Sequence, residues 1–375
     1  METTMTINDE IDKIISNDQN SISQVDKERM LLPIFREQVR NSMKYSSNMK
    51  NFYNRFEIQP DKINHISKVA PLPVTMFKQF ELRTCDKNNV IRTLKSSATT
   101  TGIPSQIFLD KTTAFRQTKG VISTLKGYIG KDRKPLLVID TESVNKPGMD
   151  AISARAAAIR GVANFASKSV YVMEGTDDIH LNWDKLKKFC EEYKNRDILV
   201  YGFTYMIWTK FVEEMERTGR TLSFPNAKVL HSGGWKKLKD KKVEKQEFNR
   251  RVAKVFGTKP SNIIDFYGMV EQVGVIFPDC EEGHKHVPDF ADVIIRNPLT
   301  MEEERDGNPG LIEIMSILPS SYPGEALLTE DQGRILGIDD CPCGRKGKYF
   351  EFLSRVEKAE IRGCGDTFAE RRGNR

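Results

Sequence analysis

Between residues 135 and 268, short apolar runs alternate with amphipathic stretches, and that alternation leaves the chain few folds to choose from. "PLLVID" reads as a buried strand and "DAISARAAAIRG" as a helix expected to stop at Gly161. "SVYVME" is a second strand, "NWDKLKKFCEEYKNR" a helix, "DILVYGF" a third strand and "YMIWTKFVEEMERTG" a helix ending at Gly219. "NAKVLHSGG" runs from a strand into a glycine loop, "KQEFNRRVAKVFG" is helical, and "NIIDFYG" closes the series as a strand. Parallel strands need crossover connections, usually helices, so this order predicts an α/β fold with a mainly parallel sheet flanked by helices. Ligands of such sheets bind outside the carboxyl ends of the strands.

The flanks differ in texture. Residues 1–95 read as a helical segment packed on the main domain, with helical apolar spacing in "DKERMLLPIFREQVRNSMKY" and a proline-punctuated entry in "PLPVTMFKQFEL". Residues 96–284 form the expected α/β core. From 285 to 356, "ADVIIRNP", "GLIEIMSI", "GRILGI" and "KYFEFLSRV" predict a small β-rich section, and 357–375 a flexible tail.

Charge and composition exclude several classes. The net charge of +6 comes from 58 basic and 52 acidic residues, and its excess clusters in "WKKLKDKKVEKQEFNRRVAK". Between Lys236 and Lys245 no aromatic residue interleaves with the lysines as a base-stacking surface requires, so they read as a solvated helix face rather than a nucleic-acid site. No apolar run reaches the roughly 18 residues of a membrane span. The acidic, polar start "METTMTINDEIDKIISNDQN" is not a targeting sequence, and six scattered cysteines are no disulfide scaffold; a cytoplasmic protein is expected.

Three loops suit a nucleotide. "LKSSATTTGIPSQ" presents Ser96, Ser97, Thr99, Thr100 and Thr101 ahead of Gly102, and hydroxyls with free N–H groups can wrap phosphate oxygens. Alone it would equally be an ordinary polar surface loop. "HSGGWKKL" sets Gly233 and Gly234 at a strand end, where a glycine pair can lie against a flat base. "DFYGMVEQVG" puts Glu271 just past a strand, where a carboxylate can hold Mg²⁺ beside phosphates.

Taken together, these stretches resemble the adenylate-forming ligases, which activate carboxylates with ATP as acyl-AMP. "SSATTTGIPS" is similar to their phosphate loop, "HSGG" to their adenine-side loop and "YGMVE", with Tyr267 and Gly268, to their Tyr-Gly-Met-Thr-Glu motif. "LLTEDQG" resembles their Thr-Gly-Asp stretch, which implies ribose contact for Asp331, and Arg355 falls where the family keeps a ribose- or phosphate-contacting arginine. Over essentially the whole chain the closer resemblance is to LuxE-type acyl-protein synthetases, through "SGGWKKL", "KHVP", "SSYP" before "TED", and a late Gly-Cys pair. That resemblance implies ATP-dependent activation of a fatty acid, its transfer to a cysteine near the C-terminus matching Cys364, and delivery to an acyl reductase partner. Departures from the wider pattern are Thr99 for glycine, Ser105 for lysine and Val270 for threonine.

Cys364 is otherwise hard to explain, since free cysteines are usually buried and inert, whereas this one stands between Gly363 and Gly365 among charges. Only 20 residues follow Arg355, which leaves no room for the mobile lid and catalytic lysine of most relatives; Lys358 is the one substitute at hand. A thiol on a tail can then accept the acyl group directly, with Arg362 and Arg371 favouring the thiolate. Two rival readings are an acyl-CoA ligase resembling phenylacetate-CoA ligase and a zinc-stabilised binding protein without catalysis.

"FPDCEEGHKHVP" and "DDCPCGRKG" hold Cys280, His284, His286, Cys341 and Cys343, residue types that suit tetrahedral zinc. Cys280, His284, Cys341 and Cys343 are the expected ligands, although cysteines merely tolerated in turns are an equal alternative. Cys85 and Cys190 read as inert thiols, and His65 and His180 as structural. His231 either touches the acyl group or packs.

Overall fold

The computed structural model describes residues 6–95, 104–145, 154–176, 178–234 and 242–356. Five parallel strands form the body of a seven-stranded sheet, in the spatial order Ala166–Glu174, Lys134–Thr141, Leu199–Phe203, Lys228–Ser232 and Ile263–Gly268. Antiparallel strands finish both edges, His180–Leu181 on one side and Ile276–Pro278 on the other. Side chains alternate across a strand, and here both faces are covered. Leu137, Ile139, Val200 and Val229 enter a core with the helices Trp183–Glu192 and Lys245–Phe256. Leu136, Val138, Tyr201 and Leu230 enter another with the helices Lys111–Ile129 and Ala154–Ala163. That is why "PLLVID" is a continuous apolar run rather than an alternating one.

Two helices depart from their expected form. Gly161 does not end its helix, which continues to Ala163; a Cβ there would stand 3.5 Å from Val121, so the glycine marks where this helix meets its neighbour. The helix expected over 205–219 is α over Thr204–Met206, π over Ile207–Val212 and α again over Glu213–Arg217. Trp208 stacks on Phe248 and Phe211 on Phe256, with centroids 5.6 and 5.3 Å apart.

A second, six-stranded sheet is antiparallel in the order Lys285–His286, Lys348–Arg355, Ala326–Ile338, Gly310–Ser316 and Ala291–Arg296, with Leu72–Pro73 parallel to Ala326–Ile338. The N-terminal helices Ile7–Ser16, Gln24–Tyr45 and Ser47–Arg55 lie on it, burying Ile11, Leu31, Phe35 and Val39 with Val293, Ile312 and Ile314. Lys27 and Lys348 converge on Asp292 at 3.3 and 2.9 Å in full burial, and Tyr53 donates to Glu325 at 2.8 Å. The N-terminal segment, expected to pack on the main domain, shares one apolar core with the β-rich section. Among the described residues no helix is long and apolar enough to cross a membrane.

Candidate active site

Asp331 lies within the strand Ala326–Ile338, at an irregularity in its pairing. Leu328 pairs with Glu313 and Gln332 with Leu311, so residues 329–331 stand opposite Ile312 alone. Such a bulge re-aims a side chain. The Thr329 hydroxyl satisfies the displaced backbone, donating to the Ile312 carbonyl at 2.7 Å and accepting from the Asp331 N–H at 3.1 Å. The Asp331 carboxylate is thereby held in a buried position, 4% exposed.

Two groups reach it from different elements. Tyr267, at the end of a parallel strand of the seven-stranded sheet, donates its hydroxyl to Asp331 Oδ2 at 2.8 Å. Arg355, on the neighbouring strand of the six-stranded sheet, donates Nε to Oδ1 at 2.9 Å. The Tyr267 ring stacks on Phe277 and Phe352, with centroids 6.0 and 5.6 Å away, which fixes its direction. Burial and the Asp331 charge push the Tyr267 phenol well above its ordinary range, so it remains a donor. The hydrogen bond to Asp331 leads the causes that raise Arg355. Three expected site residues from distant stretches thus form one contact group where the two sheets meet.

Glu271 is buried in the short turn Val270–Gln272 that follows the Tyr267 strand. Val270 packs into the apolar core, which is a use for a side chain without a hydroxyl. Gln272, which no sequence signal singled out, donates Nε2 to the Gly324 carbonyl and ties this turn to "SSYP". Gly268 closes its strand opposite Ile276. Gly233 follows the strand Lys228–Ser232 with φ of +83°, and a Cβ there would meet the Phe203 ring at 2.8 Å; beside Gly234 there is open space.

Ser96, Ser97, Thr99, Thr100, Thr101 and Gly102 lie outside the described residues, between strands whose ends pair Lys95 with Gln106. Ser105 is fully buried. Lys358 and Cys364 also lie outside the described residues. His231 is buried, bonded to Thr204 at 3.0 Å and packed on Phe248. Beside it, Lys285 bridges Asp265 at 2.7 Å and Asp279 at 3.2 Å; the aspartate inside the apolar "NIIDFYG" was the overlooked signal of that buried network. His65 and His180 pair with Glu28 and Glu174. Burial raises both Cys85 and Cys190, the latter to about 11.

The sulfur-bearing residues converge separately. Cys280 and Cys341 lie 3.9 Å apart between sulfurs, and Cys343 Sγ is 3.3 Å from His286 Nε2. His284 Nδ1 is 3.4 Å from Cys341 Sγ, but the four-residue group whose ligand atoms all lie within 4.8 Å of one another takes His286.

Comparison with known proteins identifies the family and the fold. The family described as "Acyl-protein synthetase, LuxE" matches residues 2–372. A long-chain-fatty-acid–luciferin-component ligase of Aliivibrio fischeri is 24% identical over 338 residues, covering 88% of this chain and 86% of that protein. The ligase of the same name from Vibrio harveyi is 25% identical over 314 residues, covering 80% and 78%. Among solved structures, an open 2-hydroxyisobutyryl-CoA ligase in complex with 2-HIB-AMP and CoA has a TM-score of 0.68 at 11% identity, over 90% of this chain and 77% of that one. Its postadenylation state gives 0.67 at 12% identity, over 89% and 69%. At such identities the likeness is one of fold, and the α/β architecture expected from the sequence is shared with these ligase structures. By the match across nearly its whole length, the chain belongs to the LuxE family of acyl-protein synthetases, acyl-activating acid–thiol ligases.

Proposed function

We propose that this ligase joins a long-chain fatty acid to ATP as acyl-AMP, moves the acyl group to its own Cys364 as a thioester, and delivers it to an acyl reductase partner. The observation that carries the nucleotide half is Asp331 held between Tyr267 and Arg355. A carboxylate has about four lone-pair directions; two are taken here, which leaves two for the hydroxyls of a ribose diol. The exposed remainder of the Arg355 guanidinium is free to reach a phosphate. Gly233 and Gly234 supply an open strand end for the base, and the hydroxyls of residues 96–102 suit the phosphates. Glu271 fits magnesium as a hard oxygen donor at a strand end, and the bound ion would offset phosphate charge.

The chemistry balances in two steps. A carboxylate oxygen of the fatty acid bonds to the α-phosphorus of ATP and pyrophosphate leaves. The Cys364 thiolate then attacks the acyl carbon and AMP leaves with the electron pair of the broken anhydride bond. Splitting one hard acylation into two easier displacements is the advantage of a covalent intermediate.

The test is Cys364→Ser. Fatty-acid-dependent ATP–pyrophosphate exchange should persist while labelling by radioactive fatty acid disappears, because a serine hydroxyl is a far weaker nucleophile than a thiolate at neutral pH. In the unmodified enzyme, neutral hydroxylamine should release the label. Hydroxylamine-labile label on the serine variant would assign the carrier to another cysteine. Free acyl-CoA without labelled protein, on adding coenzyme A, would make the enzyme a CoA ligase instead.

A further inference from the structure

We propose that Cys280, His286, Cys341 and Cys343 bind a structural zinc ion that fastens the hairpin carrying Asp331 and Arg355 to the edge of the seven-stranded sheet. The distances fit the ion. Zinc–sulfur bonds of about 2.3 Å in a tetrahedron set neighbouring sulfurs ~3.8 Å apart and a sulfur–nitrogen edge slightly shorter. The observed edges are 3.9 Å between Cys280 and Cys341 and 3.3 Å between Cys343 and His286 Nε2. A disulfide instead needs sulfurs at ~2.05 Å, and all these cysteines are free.

The backbone is prepared in the same way on both sides. Cys280 and Cys341 are each followed three residues later by a glycine of positive φ, Gly283 at +78° and Gly344 at +84°. In each turn that glycine's N–H donates to the cysteine carbonyl, at 2.8 and 2.9 Å. Two like turns thus face each other and bring their sulfurs together. Arg345, two residues past Cys343, ion-pairs with Glu281, the residue after Cys280, and lies 4.3 Å from the Tyr128 ring centroid, a further tie between the two turns.

The connectivity states what the ion joins. Cys280 follows the edge strand Ile276–Pro278, whereas Cys341 and Cys343 form the turn between Ala326–Ile338 and Lys348–Arg355. His286 belongs to the short strand paired with Lys348–Arg355. Four protein ligands close the coordination sphere, so the role is structural rather than catalytic.

Protein purified without added metal should contain about one zinc per chain by elemental analysis, as four-ligand structural sites do. Titrating its thiols with a mercurial should release that zinc stoichiometrically, a readout that needs no variant to fold. Cys341→Ser with Cys343→Ser should lose the metal and melt at lower temperature. His286→Asn should lose it and His284→Asn keep it. Metal-free protein, iron in place of zinc, or loss of zinc from the His284 variant alone would overturn the assignment.

Discussion

Asp331 faces Arg355 across two antiparallel strands, with Arg355 Nε 2.9 Å from Asp331 Oδ1 and the Tyr267 hydroxyl 2.8 Å from Oδ2. Asp331→Asn keeps the shape but removes the charge that both donors and a ribose diol would use. Hydrogen bonds to charged groups contribute about 1.5–3 kcal/mol, so ATP–pyrophosphate exchange should fall roughly 10- to 100-fold. Tyr267→Phe keeps the stacked ring and should cost only a few-fold. Normal exchange in Asp331→Asn, with unchanged circular dichroism, removes this residue from the nucleotide site.

Glu271→Gln should raise the magnesium concentration needed for half-maximal exchange by roughly tenfold or more, because an amide oxygen is a poorer ligand for a hard cation. Saturating magnesium should restore part of the rate. An unchanged magnesium requirement takes Glu271 out of the metal's reach.

The glycine pair separates stability from binding. Gly233→Ala meets both a positive φ and the Phe203 ring, so it should lower stability by about 1–3 kcal/mol in urea unfolding. Gly234→Ala has open space and should leave melting unchanged while raising KM for ATP, since a methyl would stand where the base lies. Unaltered KM in Gly234→Ala argues against a base at this strand end.

Stability in acid should depend on Asp292. Burial alone would raise its carboxyl, but the charges of Lys27 and Lys348 bring it down to about 2, below the ordinary 3.8. A lowered folded-state value gives stability that is complete above the unfolded value and lost as pH falls through the folded one. The contribution, roughly 2 kcal/mol, should therefore be present above about pH 4 and vanish towards pH 2. Asp292→Asn should cost about 3–5 kcal/mol near neutral pH, because two buried ammonium groups lose their carboxylate. Urea midpoints measured at pH 7 and pH 3 check both statements. An Asn variant as stable as the parent at pH 7 would show that the lysines are otherwise satisfied.

Much of the parallel sheet was legible because its signals are local. Strands covered on both faces must be continuously apolar, and "PLLVID" or "DILVYGF" can hardly be read otherwise. The helix Lys111–Ile129 escaped notice because the inward face of its first half carries Thr113, Arg116 and Gln117, so an apolar stripe begins only at Val121 and continues through Leu125, Tyr128 and Ile129. Arg116 is buried by bonding Asp12 and Asn8 of a helix about a hundred residues away, a partner no local pattern announces. The same holds for Ala326–Ile338, of which the sequence marks only "GRILGI" as a strand, because Thr329, Glu330 and Asp331 in its first half are accommodated by a bulge against Ile312.

The residue types at the site belong to the sequence: a carboxylate, a phenol, a guanidinium and paired glycines in recognisable order. Their meeting does not. Tyr267 and Asp331 are 64 positions apart and touch because two sheets abut. The choice of His286 over His284 in the sulfur cluster follows from strand pairing, since His286 pairs with Tyr349 while His284 lies just before that short strand. Local side-chain chemistry is written in the chain, whereas the distance between chemistries is set by packing, which sums contacts over the whole molecule.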